Sequence, residues 1–218
     1  NYHLLQGRIL LEQHRLDAAF HALTKATEHT PELAEPYYFL GILHQRWGED
    51  EEALQAYTLA MEHDDSHPQY FLATAETHIA LQQYDEAIEL LTTSNQEFQH
   101  HPSVSSLLGQ VYLSLGKSDE AATWFEDSRM LGSTSPEALT ALIESQFQAG
   151  QYAECLHSLM LLEVDDTLLT PYFKRIKGKC LSATGRVIEG RNLCLMVTRE
   201  TPDDPRAWID LGLISWEM

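Results

Sequence analysis

Small and apolar residues recur along this chain in columns spaced 34 residues apart. Ala19, Ala53, Ala87, Ala121 and Cys155 form one such column, and Gly190 continues it after a step of 35. A second column runs through Gly7, Gly41, Ala75, Gly109, Ile143, Gly178 and Gly212, with one step of 35 between Ile143 and Gly178. A third carries larger groups at Leu23, Tyr57, Leu91, Phe125, Leu159 and Cys194. A fixed internal period of this length marks an array of repeated units. Residues 37–64 show one unit most clearly: a helix, a tight turn at Gly48, and a second helix.

Helix packing explains the columns. Two antiparallel helices approach closely only where the crossing point is small on both sides. A glycine inside a helix costs about 1 kcal/mol against alanine, so its recurrence implies a packing reason. The third column then fills the space between one hairpin and the next. Punctuation agrees: Gly48, Gly116, Gly150 and Gly185 fall at the turn inside a hairpin, where a helix C-cap takes positive φ. Pro68, Pro102, Pro136, Pro171 and Pro205 fall where each new first helix begins. Pro31, Pro36 and Pro202 are placed between hairpins, and no proline is expected to interrupt a helix interior.

The period, with segments such as YYFLGILHQRWGEDEEALQAY and SSLLGQVYLSLGKSDEAATWF, resembles the tetratricopeptide repeat. Tyr37, Leu40, Gly41, Ala53, Tyr57 and Ala60 match the family pattern best, and the resemblance covers nearly the whole chain. The expected units are approximately 1–33, 34–67, 68–101, 102–135, 136–170 and 171–204, with a half unit at 205–218. Together they read as one array and as a piece of a longer chain. Two units depart from the pattern. Ile143 stands where Gly or Ala is expected, so the fifth pair of helices should sit slightly further apart. In the sixth, Lys174 and Lys177 approach apolar columns. There Phe173, Ile176 and Cys180 make a better buried face, so a shift of register is expected, and this unit should be the least stable.

The resemblance implies an all-α, right-handed superhelical solenoid whose first helices line a concave groove. Such surfaces bind extended peptides or partner helices. By helical spacing, the groove residues are Tyr38, Ile42, Gln45, Glu76, Gln110, Glu144, Phe147, Arg175 and Lys179. Arg175 and Lys179 also match the last repeat of the carboxylate clamp found in chaperone-binding members of the family. Upstream, Glu144, Ser106 and Gln110 depart from that clamp, so a full clamp is not expected.

Charge narrows the partner. The formal net charge is −19, which argues against a nucleic-acid partner, because phosphate backbones need clustered Lys and Arg. Residues 1–170 hold 6 of the 14 basic and 27 of the 33 acidic residues, a net −21. That part favours basic partners. Residues 171–218 carry a net +2 and include the basic run 174–179, read as a solvated face or a reduced site for an acidic peptide.

Candidate chemistry adds little. Cys155, Cys180 and Cys194 lack paired spacing and read as buried thiols. His63 and His67 flank Asp64 and Asp65, and His100 adjoins His101, but nothing fixes further ligands, so neither metal nor cofactor is expected. Gly178-Lys179 lacks the rest of a phosphate loop, and no GxSxG or HExxH occurs. No apolar run is long enough for membrane insertion. The reading is therefore a non-catalytic scaffold that holds a peptide or protein partner in its groove. The rival is the recognition region of a larger enzyme, such as a glycosyltransferase or sulfotransferase. Self-association through the solenoid ends is a third reading, and the location expected from reduced cysteines is cytoplasmic.

Overall fold

The structure is a computed structural model that describes residues 2–97, 101–162 and 169–216. Among the described residues there are thirteen α-helices and no strand. They are α1 (Tyr2–Glu12), α2 (Leu16–His29), α3 (Ala34–Trp47), α4 (Asp50–His63), α5 (Pro68–Ala80), α6 (Tyr84–Glu97) and α7 (Pro102–Ser114). They continue as α8 (Ser118–Met130), α9 (Pro136–Gln148), α10 (Tyr152–Leu162), α11 (Pro171–Ala183), α12 (Val187–Glu200) and α13 (Pro205–Trp216). The chain forms two compact units, Asn1–Leu107 and Leu108–Met218, with the division inside α7.

The same device closes successive pairs. At Gly48, φ is 77°; its N–H bonds Gln45 O, and the next N–H, of Glu49, bonds His44 O. These two bonds satisfy carbonyls that the end of α3 leaves open. Gly116, Gly150 and Gly185 repeat the conformation. In the first and third pairs the equivalent residues are His14 (φ 56°) and Gln82 (φ 59°), with the same two closing bonds. Sequence punctuation did not single these two out. Pro36 falls in the first turn of α3 rather than between hairpins. Its missing N–H is one that a helix start leaves unpaired in any case.

In unit 1, Ala19, Ala53 and Ala87 are fully buried, as are Leu23 and Leu91, with Tyr57 nearly so. A Cβ added at Gly41 would lie 2.5 Å from Tyr57 Cδ1, and one at Gly7 would lie 2.6 Å from Leu23 Cγ. The glycine thus makes room for the large side chain 16 residues later. Burying each such side chain contributes about 1.5–3 kcal/mol. Leu4, Leu10, Leu11, Leu23 and Leu43 form one core cluster. Tyr38 packs on the two that follow, around Tyr70 and around Tyr57.

In unit 2, Phe125 fills the space opposite Gly109, and Cys194 Sγ lies 2.5 Å from where a Gly178 Cβ would be. A Cβ on Gly190 would run into the Gly178 carbonyl, so α11 and α12 touch backbone to backbone. Gly178 therefore keeps its column despite the step of 35. Phe173, Ile176 and Cys180 are buried in one cluster with Ile143, Cys155 and Leu159, the face that the sequence favoured for the sixth unit.

Candidate functional site

On unit 1, residues 38, 42 and 45 share one face of α3 through their spacing. Tyr38 is half-buried, with ring centroids 5.3 Å from Tyr70 and 5.7 Å from Tyr57. Ile42 packs beside it against Tyr57 and Ala73. Gln45 already has partners: Tyr57 Oη donates to its Oε1 at 2.7 Å, and its Nε2 donates to Thr77 Oγ1 at 3.2 Å. Glu76 on α5 reaches solvent, yet the protein surrounding its carboxyl raises its pKa above 4.5. Burial, and then the charge of Glu76, raises the Tyr38 phenol. This face is thus aromatic, with protonated hydroxyls and one solvent-reaching carboxylate whose pKa is raised by partial burial.

On unit 2, Gln110 on α7 is exposed. Glu144 on α9 is half-buried and hydrogen-bonds the Tyr172 hydroxyl. Phe147 on α9 and Lys179 on α11 come together, with the ammonium 4.9 Å from the ring centroid. Both line a cavity of about 180 Å³ with Tyr152, Asp210 and Leu213. Its chemistry combines an aromatic floor, an apolar wall, a cation and a carboxylate.

The basic run is tied into the protein. Lys174 Nζ lies 2.8 Å from Glu200 Oε2. Arg175 bonds Asp210 Oδ2 at 2.7 Å and Asp204 Oδ2 at 3.2 Å, while Lys179 lies 3.5 Å from Asp210 Oδ1. The run therefore holds α13 and the loop before it, rather than standing as a solvated patch. Asp210 was missed in the sequence. It lies 35 residues after Arg175, one position past Ile209, the residue that the repeat places in register with Arg175.

The three cysteines are buried free thiols. A hydrogen bond with Cys180, followed by burial, raises Cys155, and burial pushes Cys194 up to about 11. The same hydrogen bond from Cys155 lowers Cys180, so only Cys155 and Cys194 are held as thiols. Among the described residues no group of three or more His, Cys, Asp or Glu could hold a metal. His63 stacks on Tyr37 and His67 bonds Asp64, while His100 lies outside the described residues. Also among the described residues, no helix is long and apolar enough to cross a membrane.

Helix pairs that repeat at about 34 residues, with small residues at most crossings and Ile143 as the exception, define an all-α helical-repeat solenoid. The chain belongs to the tetratricopeptide-repeat family. The family model described as tetratricopeptide repeat matches residues 4–70. That for anaphase-promoting complex, cyclosome, subunit 3 matches residues 46–128. Among solved structures, PilF of Pseudomonas aeruginosa has a TM-score of 0.73 at 18% identity, over 100% of this chain and 96% of that one. YrrB, described as a TPR protein with an unusual peptide-binding site, has a TM-score of 0.72 at 21% identity, over 86% of this chain and 96% of that one. The Cut9–Hcn1 hetero-tetramer of the anaphase-promoting complex gives 0.62 at 17% identity, over 97% of this chain but 42% of that one. At these identities the likeness is one of fold. No curated protein matches the chain by sequence. The fold is consistent with a protein–protein interaction scaffold.

Proposed function

We propose that this chain is a non-catalytic interaction scaffold whose first helices hold a peptide or protein partner. The observation that carries this reading is the meeting of Phe147 and Lys179 at the 180 Å³ cavity between α9, α11 and α13. Such a cavity takes one apolar or aromatic side chain, while Lys179 and Asp210 offer polar contacts at its edge. Binding energy concentrates in a few anchors of this kind. On unit 1, Tyr38 and Ile42 present a second apolar surface, and Gln45 is held in place by Tyr57 and Thr77. The reaction chemistry of an enzyme has no support in the buried cysteines or the paired charges.

The test is affinity capture with wild-type protein and with Phe147→Ser combined with Lys179→Glu, both shown to be folded by circular dichroism. Partner chains retained by the wild type should be lost from the variant. Equal retention would sink the first-helix assignment. A second reading, self-association, is favoured by the exposed Tyr2, Leu5 and Ile9 on α1 and by the exposed Ile209, Leu213 and Trp216 on α13. Sedimentation at several concentrations should show mass rising with concentration; a constant monomer mass removes it.

A further inference from the structure

On unit 1, the first helix pair encloses a cleft of about 320 Å³ between α1 and α2. His3, Gln6 and Leu10 line it from one face of α1, and Ala18, Ala22 and Lys25 from one face of α2. One period before Tyr38, Ile42 and Gln45 stand Leu4, Arg8 and Leu11. None of these three lines the cleft, so it is separate from the first-helix face described above.

Charge sets this cleft apart. Unit 1 carries four Arg and Lys residues against seventeen Asp and Glu. Two of the four have partners: Arg8 lies 3.2 Å from Glu35, and Arg46 donates to Leu11 O at 2.7 Å. The other two, Arg15 and Lys25, both line the cleft and are exposed. Among the described residues their side chains have no ion pair or hydrogen bond. No carboxylate of a described residue lines the cleft: Glu12, Asp17, Glu28 and Glu32 of the same helix pair stand outside its walls. Two unpaired cations on one acid-free cleft make a local site for negative charge in a unit otherwise dominated by carboxylates.

The spacing of the cations says what kind of anion. Arg15 stands at the turn, its N–H bonded to Leu10 O at 2.9 Å. Lys25 follows ten residues later, about 15 Å along the helix by its rise. There His3 stacks on His29, which brings the start of α1 beside the end of α2. Cations with backbones this far apart suit two single charges on an elongated ligand better than one compact dianion. Between them, buried Leu10 and Ala22 form an apolar floor. Acidic side chains joined by a peptide backbone have this form. The net charge of −19 opposes their approach at a distance, so the attraction acts at contact range.

We propose that the α1–α2 cleft binds an acidic segment of a protein partner, with one carboxylate at Arg15 and a second at Lys25. Gln6 and His21, both exposed and on the cleft wall, supply hydrogen bonds to the segment between those two points. The site stands whether or not Phe147 and Lys179 bind anything.

The test uses the full chain and backbone amide NMR of Ala18, His21 and Ala22. The probes are acetyl-Glu-Gly-Glu-Gly-Glu-amide, its glutamine counterpart, and inorganic phosphate. The glutamate peptide should shift these signals saturably, with the glutamine peptide at least tenfold weaker. Arg15→Gln and Lys25→Gln, both at exposed positions, should each weaken the glutamate peptide at least threefold with an unchanged thermal melt, and together at least tenfold. No saturable shift, equal binding of the glutamine peptide, or indifference to both substitutions would overturn the proposal. Phosphate that binds as tightly as the glutamate peptide would overturn it as well, leaving an adventitious ion only.

Discussion

Tyr57 Oη donates a 2.7 Å hydrogen bond to Gln45 Oε1 across the α3–α4 pair, and Gln45 passes the chain on to Thr77 of α5. One glutamine thereby joins two successive repeats. Tyr57→Phe keeps the ring that fills the space opposite Gly41 but removes the donor. Water reaches half-buried Gln45 and softens the loss. We expect a destabilisation of about 1 kcal/mol in urea unfolding, with an unchanged far-UV spectrum. Gly41→Ala should be worse, about 1–3 kcal/mol, because its Cβ would lie within the Tyr57 ring's contact distance.

His14 and Gln82 hold the left-handed turn position that glycine holds in other pairs. That conformation costs a side-chain-bearing residue about 1–2 kcal/mol, while glycine gives back part of it through unfolded-state entropy. His14→Gly and Gln82→Gly should each stabilise by about 0.5–1 kcal/mol. Gly48→Ala should move the midpoint the other way. Open space surrounds Gly48, so its effect reports backbone conformation alone. Midpoints that fall for His14→Gly would refute this account.

Asp210 is 95% buried (5% exposed) and holds Arg175 at 2.7 Å. Removing one member of a buried pair strands the other. Asp210→Ala should cost about 3 kcal/mol, with hydrogen-exchange protection lost first in α13. Lys174→Ala breaks a more exposed pair, with Glu200, and should cost under about 1 kcal/mol. Equal effects of the two substitutions would contradict the difference in burial.

The raised pKa of Glu76 makes stability depend on pH in a definite direction. The folded state holds this proton more tightly than the unfolded chain, whose value is near 4.5. The contribution of Glu76 to stability therefore falls as pH rises from 4.5 through the folded-state value, then stays low. Glu76→Gln should raise the melting temperature at pH 7. The gain should vanish below pH 4.5, where the carboxyl is protonated in both states. A gain that persists at low pH would point to another cause.

The packing columns were legible in the sequence because most repeats solve the same steric problem with similar residue sizes, Ile143 and Cys194 being departures. Gly41 and Tyr57, Gly109 and Phe125, and Gly178 and Cys194 meet inside their own helix pairs, whereas the sequence placed the large column between one hairpin and the next. Polar pairing was less legible. Gln45 and Arg175 lie on the expected helices, but their partners Thr77 and Asp210 are 32 and 35 residues away, and no sequence period announces a hydrogen bond. The same holds for Gln146. Nothing in the sequence singled it out, and its buried, unpaired oxygen emerges only from the packed side chains. His14 and Gln82 were missed because residue type conceals a conformation that only the place in the turn demands.

The internal pairing of Lys174, Arg175 and Lys179 has a kinetic consequence. A cation within about 3–4 Å of a carboxylate acts on distant molecules as a dipole, whose field decays faster than that of a free charge. Each pair cancels its own charge, so the run presents no free positive patch to distant molecules, and the remaining carboxylates set the far field of a chain whose net charge is −19. Encounter with basic partners should be electrostatically accelerated, and the association rate should fall steeply as added salt shortens the screening length from ~30 Å at 0.01 M to ~8 Å at 0.15 M.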